Sequence, residues 1–248
     1  MTLADLLDEL RNTILRDIAA PFLWQDGTLV RYIDDAQRRF ARRTLCLRDK
    51  TTPDATQITL ETGVESYALH PSVIAVLSAR YHEDTADLAR VGHDQVSGAL
   101  APDTLWFDIN EVMGFPPGRP RAILTDEQVD TETAGKAAIS LRIYPAPTID
   151  ENGNIVYLRV ARLPMVAFTE SNLSAVCEIP EDYQLDMLEW AAYRARRTYD
   201  ADGGEPARAE GHKARFEEAV KEAQTEMKRK LFAPMKWGFG RNGFTHSR

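Results

Sequence analysis

The hydrophobic period of this chain changes twice, and the order of those changes restricts its fold more than any other feature. Residues at the start follow a helical period. Leu3, Leu6, Leu7, Leu10, Ile14 and Ile18 recur at three- and four-residue spacing, which puts them on one helical face. Thr2 with Asp5 three residues later reads as a capping pair, and Pro21 is the expected end of this helix. A second helix is expected after "WQDG", with Leu29, Ile33, Ala36 and Phe40 as its stripe, widened by Tyr32 and Ala41. Its other face carries Arg31, Asp34, Asp35, Arg38, Arg39, Arg42 and Arg43. "RRFARR" could form a nucleic-acid patch, but such a run is more often a solvated, ion-paired face.

From about Thr56 to Pro164 the pattern shortens to "TQITLET", "SYAL", "VIAVLSARY", "RAILTD", "AISLRIY" and "IVYLRVARL". These segments are rich in Ile, Val, Leu and Tyr and are separated by Gly, Pro, Asn and Asp, so they read as strands. The clearest pair is "AISLRIY" and "IVYLRVARL", with the turn-forming "PAPTIDENGN" between them. Leu141 and Ile143 alternate with Arg142 and Tyr144, as in a half-buried strand. "VMGFPPGRP" reads as a loop.

After Pro180 the helical period returns. Pro180, Glu181 and Asp182 suit a first turn. Leu185, Leu188, Ala191, Ala192, Ala195 and Tyr199 mark one face. Beyond the turn "DADGGEP", a long helix carries Phe216, Ala219, Val220, Ala223, Met227 and Leu231. An antiparallel helical hairpin is expected. Helices, then strands, then helices give an α+β plan. In it, residues 1–50 and 178–231 form a helical bundle, residues 51–177 form an inserted antiparallel β domain with long loops, and residues 232–248 form a C-terminal arm.

Composition excludes several classes. No apolar run nears the roughly 20 residues of a membrane-spanning helix. Asp5, Asp8 and Glu9 interrupt the leucines of the N-terminus, unlike a signal peptide, so synthesis and retention in a cytoplasm are expected. Cys46 and Cys177 are the only cysteines; they match no metal spacing or disulfide framework and read as buried or half-buried thiols. Net charge is −8, and the six basic residues after Met227, with no acid among them, leave −14 for the rest. An acidic body argues against a sequence-reading DNA-binding protein.

Catalytic motifs are missing from the sequence: it has no phosphate loop, no GxGxxG, no GxSxG and no HExxH. His82, Asp84, His93 and Asp94 are what a metal-dependent hydrolase would use, but they fall in a Gly/Asp-punctuated region where a surface loop is the ordinary reading. Asp34 and Asp35 point about 100° apart on a helix and read as partners for Arg31, Arg38 and Arg39 rather than as an acid–base pair. Trp24 reads as an anchor into the bundle or a staple, and Trp190 as a core or helix–helix contact. Trp106 and Phe107 fit either a strand or a contact with a neighbour. The closing segment "LFAPMKWGFGRNGFTHSR" holds three Phe, one Trp, three Gly and three Lys/Arg with no acid. Aromatics and arginine dominate binding hot spots, so it reads as a docking arm, with folding back on its own body as the alternative.

Three stretches carry a family resemblance: "LWQDGTLVRYIDDAQRRFARRT", "LRIYPAPTIDENGNIVYLRVARLP" and "IPEDYQLDMLEWAAYRAR". In this order they resemble the head-to-tail adaptor (connector) proteins of tailed bacteriophages. The resemblance implies a structural virion protein with no enzymatic activity, in a ring of twelve copies in the neck between capsid and tail. The partners it implies are the portal protein, tail or neck proteins, and genomic DNA passing through the lumen without sequence-specific binding. No cofactor, metal or membrane is expected. It also implies that the C-terminal arm docks on the portal, through Phe232, Met235, Lys236, Trp237, Phe239, Arg241, Phe244 and Arg248. The rival expectations are a tail completion or terminator ring, the metal-dependent hydrolase, and a cytoplasmic interaction domain unrelated to virions.

Overall fold

A computed structural model describes residues 1–82, 84–91, 117–129, 137–198 and 205–231. Helix α1 (Leu3–Asp8) opens with the expected capping box: Thr2 accepts from the Asp5 N–H, and Asp5 accepts from the Thr2 N–H. It then widens into a π-helical stretch, Glu9–Leu15, and ends at Arg16, whose φ of 58° is left-handed. The helix therefore stops five residues before Pro21, and Ile18, expected in the apolar stripe, is 70% exposed.

Helix α2 (Asp26–Thr44) buries the stripe read from the sequence, including Leu29, Ile33, Ala36 and Phe40. Helix α3 is a single turn (Pro53–Thr56), and α4 (Gln184–Thr198) and α5 (Glu205–Leu231) follow late in the chain. Glu189 of α4 meets His212 of α5, Trp190 meets Phe216, and Tyr183 just before α4 meets Glu226. These pairs run in opposite directions along the two helices, as an antiparallel hairpin requires. Helices α1, α2, α4 and α5 share one apolar core, in which Phe40 touches both Tyr183 and Phe216. Each such fully buried aromatic contributes about 1.5–3 kcal/mol. Leu185, expected on the buried face of α4, is half exposed, and Met187 is buried in its stead.

The strands are β1 (Arg48–Asp49), β2 (Gln57–Thr59), β3 (Ser66–Ala68), β4 (Val73–Tyr81), β5 (Ala89–Val91), β6 (Ala122–Val129), β7 (Ala137–Tyr144) and β8 (Ile155–Arg162). They form two sheets. In the first, β8 pairs with β4 along one edge and with β2 and β1 in turn along the other. The second has the order β3-β7-β6-β5. Pairing is antiparallel except between β5 and β6. The architecture is thus α+β, as the order of periods implied.

The consecutive strands β7 and β8, the clearest pair in the sequence, are not bonded to each other. Both edges of each are taken by other strands. The ten residues between them are also longer than a two-residue hairpin loop. They carry the chain between the sheets through a capped 3-10 turn at Ile149–Glu151 and Gly153, whose φ of 82° suits glycine. Inward residues of both sheets, among them Val76, Val156, Leu158, Ile123, Leu141 and Ile143, form a second apolar core. Two bulges in β4 replace strict alternation and turn Val73, Val76 and Ala79 inward at three-residue spacing.

Cys46 and Cys177 are both buried. Burial pushes the Cys177 thiol up to about 11 from 9.0 and the Cys46 thiol up as well. The thiolate is the reactive form. At pH 8 a disulfide-exchange reagent followed by absorbance will therefore modify native protein far more slowly than protein unfolded in urea. Fast labelling of the native chain would show that these thiols are reachable. The raised value also means that this group stabilises the fold fully below pH 9.0 and that the contribution is lost as pH rises towards about 11.

Candidate functional site

All eight residues expected in the docking arm, Phe232 to Arg248, lie outside the described residues, as do Trp106, Phe107, His93 and Asp94. The other two members of the expected metal set are apart in role. His82 is exposed in a turn, its backbone N–H donating to Ile155. Asp84 pairs with Arg119, which also lies over the Tyr81 ring. Among the described residues no three His, Cys, Asp or Glu side chains come together in a way that could hold a metal ion.

The polar residues that do converge lie on the two flanks of the α4–α5 hairpin. On the first flank His212 is buried within the α5 stripe, four residues before Phe216. Its Nδ1 lies 2.6 Å from Glu189 Oε2, and its Nε2 accepts from Arg196 Nε at 3.1 Å. Burial pushes the Glu189 carboxyl up, but the hydrogen bonds and charges of His212 and Arg215 outweigh it and hold the group below its ordinary value. Arg196 continues to the carbonyls of Ile14 and Leu15, which end the π-helical stretch without helical partners. Below it, Arg11 donates to Asp17 at 2.8 Å and to the Trp24 carbonyl at 2.8 Å. Asp17 in turn accepts from the N–H groups of Leu23 and Trp24. This buried knot fixes the link between α1 and α2, and Trp24 anchors it by donating to the Ala195 carbonyl. A groove of about 610 Å³ runs between the π-helical stretch and α5.

On the second flank Trp190 lies between α2 and α5. Its Nε1 donates to Asp35 Oδ2 at 2.7 Å, and the same oxygen accepts from Arg194. The Arg39 guanidinium is stacked 3.8 Å from the Trp190 ring centre. Arg197 donates to the Tyr193 hydroxyl, and Lys213 lies over the Tyr193 ring. These side chains line a groove of about 660 Å³. Asp34 pairs with Arg38 as the four-residue spacing implied, and also accepts from Gln37 and the Phe168 N–H. Arg31 and Arg39, the other expected partners of the acidic pair, go elsewhere: Arg31 to the Gly27 carbonyl and Arg39 to Trp190.

Sequence reasoning missed His212 and Arg11. Both stand at helical spacing among apolar residues, a signal that a polar side chain will be buried and hydrogen-bonded. Asp17 carries no such signal, since its partners come from across a loop. Prepaired cations, carboxylates and aromatic faces are chemistry suited to binding another surface.

No curated protein matches this chain. A family described as SU10 adaptor protein matches residues 1–237, a span that takes in every helix and strand described above. The chain therefore belongs to the SU10 adaptor family, a family of phage head-to-tail adaptors.

Proposed function

We propose that copies of this protein, twelve by the family resemblance, form a ring in the virion neck that joins the capsid portal to the tail and extends the channel for the genome. The observation that carries this reading is the family match over residues 1–237, which leaves out only the last eleven residues. In this reading residues 1–50 and 178–231 build the ring wall, residues 51–177 form an inserted β domain, and residues 232–248 dock on the portal. The role is structural and asks for no bond-making chemistry. The body's charge of −11 before the basic arm suits a lumen along which DNA slides, because tight phosphate binding needs cationic partners.

The test is electron microscopy of the full chain mixed with the portal protein of the same phage and, separately, with its tail proteins. A ring added beneath the portal is the expected result. A ring that joins only tail components would make the protein a tail completion or terminator ring instead. A chain that joins neither would sink both virion readings.

A further inference from the structure

The second flank of the α4–α5 hairpin carries surplus cations; on the first flank the groove beside Glu189 is lined by Arg16, Arg196, Arg208 and Arg215, and surplus carboxylates stand further along α5. On the second flank Arg39, Arg194, Arg197 and Lys213 surround Trp190 and Tyr193. Asp35 compensates Arg194 and Glu210 compensates Lys213, and Glu217 nearby is held by Arg43. Arg39 and Arg197 form no ion pair among the described residues; each is held against an aromatic ring. The first flank is the reverse towards the C-terminal half of α5. Glu218, Glu222 and Glu226 follow one another at four-residue spacing on the same edge, where like charges repel. Asp186 of α4 joins them: burial, then the charges of Glu222 and Glu189, push its carboxyl above the ordinary value, and it makes no ion pair among the described residues.

We propose that copies of this chain join head to tail, the acidic edge of one copy, Asp186 with Glu218 and Glu222, seating in the cationic, aromatic groove of the next. This rests on the ring reading above. A closed ring of one chain needs two different, mutually complementary surfaces on each copy, set apart so that each copy uses both. The flanks meet that need. Asp186, Glu218 and Glu222 lie on the Glu189–Arg215 side of the hairpin, and the groove lies on the Arg39–Lys213 side. Trp190 and Tyr193, themselves buried, form the floor of the groove and hold Arg39 and Arg197 in place over it. The groove's cations and the edge's carboxylates complement each other across the contact, and such complementarity fixes orientation more than it adds raw affinity.

The experiment uses the full chain and two double variants, Arg39→Glu/Arg197→Glu and Glu218→Lys/Glu222→Lys, with mass photometry as the readout. Circular dichroism melts confirm that each variant is folded. Wild type is expected to form rings, and each variant alone is expected to lose at least tenfold in ring fraction. Mixed one to one, the variants restore rings of wild-type mass, because the reversed groove of one accepts the reversed edge of the other. If wild type assembles and either variant alone does so equally well, or if the mixture stays disassembled, the proposed contact is wrong and the ring reading stands. If wild type never forms rings, alone or with portal, the ring reading itself fails. Should a variant not fold, the salt dependence of wild-type assembly decides. Ring fraction must fall between about 50 mM and about 0.5 M salt, over which screening tightens several-fold, and a salt-independent ring would overturn the contact.

Discussion

On the ring reading, truncation after Lys230 is expected to abolish attachment to the portal, and Trp237→Ala with Phe239→Ala is expected to weaken it by about a thousandfold per chain. The segment removed contains three Phe, one Trp and three Lys/Arg without an acid. Hot-spot aromatics cost about 2 kcal/mol or more each when cut to alanine, and two of them at that value give the thousandfold change. In a ring the arms bind together, so the loss per ring exceeds the loss per chain. Ordering each arm opposes binding through lost backbone freedom, which is why a few large side chains must carry the affinity. Binding of wild-type and variant rings to immobilised portal measures the effect, and a melting curve of the isolated protein supplies the control. An unchanged melting temperature with lost binding is the expected pair of results. A double variant that melts well below wild type, with portal binding intact, would show that the arm packs on its own body.

The stripes of α2 and α5 could be read from the sequence because a helix face depends on spacing a few residues long. Phe40, Phe216, Val220 and Ala223 are buried where that spacing put them. Ile18 and Leu185 fit the same spacing and are exposed, because what covers a helix face is decided by distant segments. The π-helical turn places Leu10 and Arg11 both inward, and a local widening of the helix leaves no mark in a 3.6-residue apolar pattern. Strand positions were legible from composition, but partners were not. The sequence neighbours β7 and β8 ended in different sheets, with both edges of each taken by strands distant in sequence or by β6. The polar constellations divide the same way. Asp34 with Arg38 is local and was legible. Asp35 with Trp190 and Arg194 joins residues more than 150 positions apart, and nothing in either stretch names the other. The proposed arm rests on composition alone, its aromatic and basic residues standing out against an acidic chain.

Arg162→Ala lowers the stability of the folded chain by about 3–5 kcal/mol, the range for stripping one partner from a buried ion pair. At this chain length that is a fall in melting temperature of roughly 10 °C. Arg162, at the end of β8, donates from Nε to Asp49 at 2.7 Å and from Nη1 to Glu178 at 2.5 Å, and all three side chains are mostly buried. Each carboxylate organises backbone of its own. Asp49 accepts from the N–H groups of Thr51 and Thr52, which lead into α3. Glu178 accepts from those of Met165 and Val166, on the chain leaving the sheets. One guanidinium thus joins the strands to the segment that leads into α4, and its loss strands two carboxylates. Burial pushes the Asp49 carboxyl up, but hydrogen bonds from Thr52, Thr51 and Arg162 overcome it and hold the group well below 3.8. A depressed carboxylate adds stability that is present above its unfolded value and is lost as pH falls through the folded one. Urea melts between neutral and strongly acidic pH should therefore show a shallower acid decline for Arg162→Ala than for wild type, because the variant has already lost part of that contribution. Arg162→Lys keeps the charge but not the planar fork that reaches both carboxylates, so it should fall between the two. A loss under about 1 kcal/mol for Arg162→Ala is the value of a solvated surface pair, and would mean that water reaches this junction and that Arg162 does not hold the sheets to the helices.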